Sequence, residues 1–388
     1  MNFIRPVSIL IAASVCACAG PIYTLADLGT LGGSSAMSTS VNNFGQSVGT
    51  MTNGQGDTYA FASSRSGLTV LSANGQASGI NGAGQVVGTQ FIGEQTYATI
   101  WNKGEAITVG GGGSYGMAIN NSGDVAGMVV NNGQGNAFVT QNGTVIDLGT
   151  FDGGSWSAAY GLNDHGQAAG YGMTSTGDFR AFVWTPEHGF AVVGTLGGAS
   201  SYLMSINDSG VAVGSSQITS GYLHAIEVNG TSIEDLGTLG GVSSSAYGIN
   251  SLGNVVGSSF TTGNASQDGF LEENGVMYDM NSLLIDASGW VIMDLYAIND
   301  SNQVVGVGTF NGVEHAVLLT DPPATTNTTL DSIATPEPAA WIGTSAGLLA
   351  LFLRKGLAYS RRGGLRSWGL RGNSIRPPAS AKPASAKE

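Results

Sequence analysis

The sequence predicts an all-β protein built from repeated units. Of its 388 residues, 62 are Gly and only 10% are charged, and long stretches alternate small, β-branched and polar residues. A nine-residue phrase, an apolar residue followed by Asn-x-x-Gly and closing on Gly, recurs seven times. The first Asn of each phrase stands 39, 39, 43, 44, 43 and 49 residues from the next: Asn42, Asn81, Asn120, Asn163, Asn207, Asn250 and Asn299. This spacing is the length of one four-stranded propeller blade.

Each unit has room for four short strands, which predicts a seven-bladed β-propeller over residues 20–320. The segment 23–29 reads as a fourth strand without the three that should precede it. The last unit, 295–320, has three strands and lacks its fourth. Pairing the N-terminal strand with the last unit would close the ring and remove two exposed sheet edges. A β-solenoid is the alternative fold.

The spacing Asn-x-x-Gly indicates a tight turn between the first and second strands. The Asn side chain can hydrogen-bond its own loop, and Gly three residues later can adopt positive φ. Position 302 carries Asn in place of Gly, and Asn is the residue that best tolerates the left-handed region after Gly. The Asn-Asp pairs at 163–164, 207–208 and 299–300 leave a calcium interpretation open, although each turn offers one carboxylate.

A second phrase, Asp-Leu-Gly-Thr-Leu-Gly-Gly, occurs at 27–33 and 235–241, and His-Ala occurs at 224–225 and 315–316. Together with the Asn-x-x-Gly phrase, these motifs resemble the HAF family of probable extracellular repeats across residues 23–320. The resemblance implies secretion and repetition. It brings no defined activity and no catalytic residue.

Charge and residue composition exclude several functions. Residues 20–331 contain 24 acids against Arg65, Lys103 and Arg180, a balance that repels nucleic-acid phosphates. The four His residues show no His-x-x-x-His spacing, so we expect no zinc site. The Gly-rich phrases lack the Lys and the following helix of a phosphate-binding loop. We therefore predict no metal, no cofactor and no nucleic-acid partner.

The N-terminus, residues 1–19, has the layout of a secretory signal. Arg5 precedes an apolar run from 7 to 15 and a small-residue end, which predicts cleavage between Ala19 and Gly20. Cys16 and Cys18 both lie in this segment, so the mature chain would contain no disulfide. A lipoprotein acylated at Cys18 is the alternative.

The C-terminus predicts a spacer, a membrane segment and a tail. Residues 321–338 are rich in Thr, Pro and Ala, and 339–355 is largely apolar up to its basic stop, Arg354-Lys355, with Arg361-Arg362 just beyond. The apolar stretch is short for a transmembrane helix, which usually needs about 20 residues. A buried C-terminal helix is the alternative. Residues 356–388 form a basic tail that we expect to be disordered.

The order Pro336-Glu337-Pro338, apolar segment, basic cluster resembles the PEP-CTERM sorting signal of Gram-negative bacteria. The resemblance implies a precursor held in the inner membrane, recognition by an exosortase-type enzyme and cleavage near the Pro-Glu-Pro. The product would reach the cell surface or an exopolysaccharide matrix. The tail beyond the arginines departs from the family pattern.

From these features we predict an exported, non-catalytic surface or matrix protein that adheres to, or binds, polysaccharide or another surface protein. Trp101 and Trp184 end equivalent third strands, which favours packing between units, whereas Trp156 in Gly-Gly-Ser-Trp-Ser is the candidate ligand contact. The alternative is an exported carbohydrate-active hydrolase or lyase on a propeller scaffold. Carboxylates and aromatic residues gathered at one end of the channel would favour the enzyme.

Overall fold

The computed structural model describes residues 21–30, 32–64, 67–131 and 133–321. The predicted signal segment 1–19, the cleavage residues Ala19 and Gly20, and everything from 322 onward lie outside these ranges. That includes Pro336, Glu337 and Pro338, the apolar segment 339–355 and the basic tail 356–388. Within the described ranges, no helix is long and apolar enough to cross a membrane.

Twenty-eight strands are found in the described residues, and antiparallel pairing groups them into seven units of four. The first strands of units 1 to 7 are β2 (Ser35–Val41), β6 (Gly75–Ile80), β10 (Ser114–Ile119), β14 (Trp156–Leu162), β18 (Gly197–Ile206), β22 (Gly240–Ile249) and β26 (Trp290–Ile298). The second strands are β3 (Ser47–Thr52), β7 (Val86–Ile92), β11 (Val125–Asn131), β15 (Ala168–Met173), β19 (Val211–Ile218), β23 (Val255–Thr261) and β27 (Val304–Phe310).

The third strands are β4 (Thr58–Ser64), β8 (Gln95–Asn102), β12 (Gln134–Gln141), β16 (Phe179–Thr185), β20 (Leu223–Asn229), β24 (Gln267–Glu273) and β28 (Val313–Thr320). The fourth strands are β5 (Gly67–Ala73), β9 (Glu105–Val109), β13 (Thr144–Gly149), β17 (Gly189–Val192), β21 (Ser232–Gly237), β25 (Val276–Asp279) and, in unit 7, β1 (Thr24–Gly29). A 3-10 turn (Thr262–Asn264) and helix α1 (Met280–Leu283) interrupt unit 6 and its connection to unit 7.

The N-terminal strand lies where the sequence places the missing fourth strand. β1 pairs antiparallel with β28, from Thr24 opposite Thr320 to Gly29 opposite Ala316. Each first strand also contacts the first strand of the next unit, and β26 of unit 7 contacts β2 of unit 1. The seven units are therefore arranged in a cycle around their first strands.

Apolar side chains fill the spaces between neighbouring units. Seven clusters each join residues of two successive units, and the one between units 7 and 1 combines Ala316 with Ala36, Met51 and Phe61. Trp101 is 4% exposed in the cluster between units 1 and 2, and Trp184 packs in the cluster between units 3 and 4. Both tryptophans thus pack between units, as the sequence predicts.

The last Gly of each repeated phrase has a packing reason. Each first strand skips one position in its register about three residues before the Asn, as between Ala246 and Gly248 in unit 6. Such a bulge bends its strand and increases the local twist. A Cβ on Gly257 would collide with the carbonyl oxygen of Ser245, and the equivalent Gly of every other unit meets the equivalent carbonyl in the same way.

Candidate active site at the asparagine-turn end

The seven Asn-x-x-Gly turns gather at one end of the fold, called the asparagine-turn end below. In unit 1, Oδ1 of Asn42 accepts hydrogen bonds from the N–H groups of Phe44 and Gln46, both at 3.1 Å. Gly45 has φ +73°, and Asn302 takes the corresponding conformation in unit 7 with φ 55°. The predicted turn chemistry is confirmed at both positions.

The Asn side chains also connect the units to one another, which the sequence analysis did not foresee. Nδ2 of each Asn donates to the backbone carbonyl oxygen of the Asn in the next unit, at 2.9 to 3.2 Å. The bonds run from Asn42 through every unit to Asn299, whose Nδ2 returns to the carbonyl oxygen of Asn42 at 2.9 Å. We call this closed circle the asparagine ring.

The residue after each Asn forms a second, incomplete circle, called the outer ring. Its bonds join the backbone N–H of one unit to a side-chain oxygen of the next. They connect Gly82 to Asn121, Asn121 to Asp164, Asp164 to Asp208, Ser251 to Asp300 and Asp300 to Asn43, at 2.8 to 3.0 Å. The corresponding bond is absent between units 1 and 2 and between units 5 and 6 of the described chain, where the accepting positions hold Gly82 and Ser251.

A solvent-open cleft of about 360 Å³ lies at this end, lined by His165, Gln167, Glu187 and Asp208. His165 and Gln167 belong to the turn of unit 4, where Oδ1 of Asn163 accepts hydrogen bonds from both backbone N–H groups at 3.1 and 2.9 Å. Glu187 lies in the hairpin between β16 and β17, and Asp208 belongs to the turn of unit 5. Two carboxylates and an imidazole from two units thus share one cleft.

Local hydrogen bonds position the cleft residues. Oδ1 of Asp208 accepts a hydrogen bond from the N–H of Asp164 at 2.8 Å, which orients the Asp208 carboxylate across the boundary between units 4 and 5. The next hairpin residue, His188, has its N–H bonded to Oγ1 of Thr185 at 3.1 Å. His165, Glu187 and Asp208 are all solvent-exposed. These groups can exchange protons with a molecule that enters from solvent.

A second group of carboxylates lies between units 5 and 6. Glu227 of β20 stands opposite Glu234 of β21 in the antiparallel register. Glu272 of β24 is 7% exposed, and its Oε1 accepts a hydrogen bond from the N–H of Gly275 at 2.6 Å. Burial is the main cause that raises the pKa of Glu272, and the hydrogen bond from Gly275 partly opposes it. Repulsion from Glu227, Glu234 and Glu273 raises the pKa further. Burial and the nearby Glu234 likewise raise the pKa of Glu227.

Two of the four His residues form equivalent pairs with the Asp of the Asp-Leu-Gly phrase. Nδ1 of His224 lies 2.9 Å from Oδ2 of Asp235, and Nδ1 of His315 lies 3.0 Å from Oδ1 of Asp27. Asp27 and Asp235 also cap the backbone N–H of Gly29 and Gly237. The pairs bind the third strand to the fourth in units 5 and 7. In the described ranges, no three His, Cys, Asp or Glu residues converge in a way that could hold a metal ion.

Trp156, the candidate ligand contact, begins β14 and therefore lies at the opposite end of that strand from the Asn163 turn. Its ring centroid is 5.3 Å from that of Tyr171 and 6.2 Å from that of Phe179. Tyr171 in turn stacks on Tyr160, with centroids 5.0 Å apart and planes 2° from parallel. The cleft residues and Trp156 thus lie at different ends of unit 4. A ligand-binding role for Trp156 stays a prediction.

No protein-family model matches the sequence, and no curated protein matches it either. Solved structures do match the fold. The β-propeller domain of the trilobed protease from Pyrococcus furiosus matches with a TM-score of 0.51 and 9% identity, over 74% of this chain and 96% of that domain. A prolyl endopeptidase matches with a TM-score of 0.50 and 10% identity, over 76% of this chain but only 51% of its own. This chain therefore spans about half the length of that enzyme.

These similarities show a β-propeller fold. The prediction of a non-catalytic surface or matrix protein is corrected by these matches, because the propellers that share this fold belong to a protease and a prolyl endopeptidase. The hydrolase alternative agrees better with these matches. The resemblances to the HAF family and to the PEP-CTERM signal stay predictions.

Proposed function

We propose that this chain is a hydrolase of an extracellular polysaccharide, carried on a closed seven-bladed β-propeller. The single observation that carries the proposal is the open cleft in which Glu187 and Asp208 come together from two units, with His165 beside them. Glycoside hydrolysis requires two carboxyl groups flanking the scissile bond, one protonating the leaving oxygen and one acting on water or on the sugar. Glu187 and Asp208 are the two carboxylates that line this cleft.

In this mechanism, Glu187 gives its proton to the leaving glycosidic oxygen. Asp208, oriented by the N–H of Asp164, takes a proton from the attacking water as the new C–O bond forms and the old one breaks. His165 hydrogen-bonds a sugar hydroxyl at the mouth of the cleft. The acidic surface favours a neutral or cationic polymer over an acidic one, because like charges repel.

The closed seven-bladed architecture is supported by three independent contacts: the pairing of β1 with β28, the apolar cluster between units 7 and 1, and the asparagine ring. For the ends of the chain, we propose export through the segment 1–19 and exosortase-type processing at Pro336–Pro338, with the basic stop at Arg354, Lys355, Arg361 and Arg362. The sequence order of these features supports that route.

The test is release of reducing ends from neutral and amino-sugar polysaccharides by the full chain. Glu187→Gln and Asp208→Asn should each lower the rate about 100- to 10,000-fold, the usual contribution of a general acid or base. Glu105→Gln is the matched control, because Glu105 follows the equivalent hairpin of unit 2; it should leave the rate unchanged. Cleavage of peptides in place of glycans would contradict the proposed substrate. Hydrolysis that persists after both cleft substitutions would contradict the proposed site.

A further inference from the structure

The boundary between units 5 and 6, called the seam below, lacks a connection that most boundaries have. The asparagine ring crosses it, since Nδ2 of Asn207 donates to the carbonyl oxygen of Asn250 at 3.0 Å. The outer ring does not, because Ser251 stands where units 3, 4, 5 and 7 carry Asn121, Asp164, Asp208 and Asp300. One of the two polar bonds expected at the turns is therefore missing from the seam.

The seam also holds mutually repelling carboxylates. Glu227 and Glu234 of unit 5 are cross-strand neighbours, and like charges directly opposite each other destabilise a sheet. From unit 6, Glu272 and Glu273 end β24, and Oε1 of Glu273 is 3.4 Å from Nδ2 of Asn254. Glu272 is the buried member, so its ionised form has the least solvent to stabilise it.

No basic side chain of the described ranges belongs to unit 5 or 6: Lys103 lies in unit 2 and Arg180 in unit 4. The one His of these units, His224, is paired with Asp235 beyond the Glu227–Glu234 pair. Asp268 lies near the start of β24, and Asp279 is the last residue of β25, at the same end of the sheet. Glu272 therefore has the N–H of Gly275 as a donor and the charges of Glu227, Glu234 and Glu273 near it, with no cation in units 5 and 6 of the described ranges to offset them.

We propose that the seam is a pH-sensitive joint of the propeller, closed when Glu272 is protonated and loosened when Glu272 is ionised. In mildly acidic medium, a proton on Glu272 removes its repulsion of Glu227 and Glu234, and units 5 and 6 pack together. At neutral pH the ionised carboxylate draws water into the boundary. Because the outer-ring bond is missing, fewer hydrogen bonds hold units 5 and 6 together against this hydration. The other boundaries stay closed across this range.

Hydrogen–deuterium exchange of the full chain, corrected for the intrinsic pH dependence of exchange, tests the joint. Protection of amides in β20, β21 and β24 should fall as the pH rises from about 4 to about 7.5, by up to about tenfold for each unit by which folding raises the pKa of Glu272. Protection in units 2 and 3 should stay constant. Glu272→Gln should abolish the pH dependence at the seam, since the amide can still accept the bond from Gly275 but never ionises.

Glu314→Gln is the matched control, because Glu314 is the third-strand glutamate of unit 7. It should leave the exchange of the seam pH-dependent. Glu234→Gln should reduce the pH dependence without abolishing it. A uniform change across all seven units, or a seam that remains pH-dependent in Glu272→Gln, would overturn the proposal. Neither result depends on hydrolysis.

Discussion

The boundary between units 7 and 1 and the seam between units 5 and 6 show that one repeated phrase can form boundaries with different numbers of hydrogen bonds. Where unit 7 meets unit 1, Asn43 and Asp300 exchange two hydrogen bonds: Nδ2 of Asn43 donates to Oδ2 of Asp300 at 2.7 Å, and the N–H of Asp300 donates to Oδ1 of Asn43 at 3.0 Å. Where unit 5 meets unit 6, no such exchange occurs in the described chain, and carboxylates gather without a cation. The closing boundary is reinforced and the seam is not.

The repeated phrase accounts for the bonds that all boundaries share, and the residues beside it account for the differences between boundaries. The Asn at the head of each turn donates to the next unit at every boundary, so the asparagine ring is common to all seven. The residue that follows it varies among Asn, Asp, Gly and Ser. Unequal strength therefore comes from a single variable position and from the third-strand side chains near it.

The largest expected effect is at the anchor of the closing strand. Tyr23 is fully buried, its N–H donates to the carbonyl oxygen of Leu283 at 2.8 Å, and its own carbonyl accepts from Ile285 at 2.9 Å. Tyr23→Ala should lower the free energy of unfolding by about 3–5 kcal/mol, the cost of emptying an aromatic site. Urea denaturation measures this loss.

Tyr23→Phe is its control. The Tyr23 hydroxyl is buried without a hydrogen-bond partner among the described residues, so its removal should be neutral or stabilising. A loss with Phe as large as that with Ala would show that the hydroxyl, and not the packed ring, anchors the strand.

Next in size is the asparagine ring itself. Asn299→Asp keeps the oxygen that accepts from Ser301 and Gln303 but removes the donor to the carbonyl oxygen of Asn42. Since the Asn42 carbonyl then keeps only its bond from the N–H of Gly45 and faces a carboxylate in place of a donor, we expect a loss of about 1–3 kcal/mol in the free energy of unfolding. Asn207→Asp should cost a similar amount at the seam. If both variants are as stable as the parent, the Asn serves its own turn only.

The sequence predicted the turn but not the ring, and the reason is physical. Within the turn, the N–H groups that donate to the Asn side chain lie two and four residues from it, and local geometry suffices to deduce them. The ring acceptor lies 39 to 49 residues away, or 257 between Asn299 and Asn42. Only the arrangement of whole units brings it within reach. The same limit applies to the cleft, since nothing near His165 in the chain indicates that Asp208 lies beside it.

The two glycines of the repeated phrase differ in how far residue type alone predicts their role. The third residue after each Asn could be assigned to positive φ from its type alone, and φ 55° at Asn302 fits that assignment. The last Gly of the phrase gives no such signal, because its reason is the bulge in the facing strand. Asn302 also accepts hydrogen bonds from Nδ2 of Asn250 and of Asn254, each at 3.0 Å. The Gly-to-Asn exchange thus adds a connection between units 6 and 7.

Asp300, which joins unit 7 to both unit 6 and unit 1, and Glu272 at the seam should respond to pH in opposite directions. Burial alone would raise the pKa of Asp300, but hydrogen bonds from Ser251 and Asn43 lower it below its ordinary value. A lowered folded-state pKa gives stability that is present above the unfolded pKa, about 3.9, and lost as the pH falls through the folded value. For Glu272 the raised pKa means that stability falls as the pH rises above about 4.3 through the folded value.

Urea denaturation at a series of pH values between 3 and 8 separates the two contributions. Asp300→Asn should reduce the loss of stability at acid pH and leave the pH dependence near neutrality unchanged. Glu272→Gln should raise the stability at neutral pH and leave it unaltered below about pH 4. If Asp300→Asn changes the pH dependence near neutrality, or Glu272→Gln changes it at acid pH, the two carboxylates are coupled and do not contribute independently.

The smallest expected effect would restore the missing connection at the seam. Asn holds the outer-ring position in units 1 and 3, so Ser251→Asn should let the new side chain accept a hydrogen bond from the N–H of Asp208. Because this amide is at the surface, we expect a gain of only about 0.5 kcal/mol. Gly82→Asn is the discriminating control, since a Cβ at Gly82 would stand 2.9 Å from Oδ1 of Asn121 and disturb a bond that already exists. Because Gly82 is itself the accepting position between units 1 and 2, a gain at both sites would mean that a restored outer-ring bond stabilises either boundary, whereas no gain at 251 would show that the absent bond does not weaken the seam.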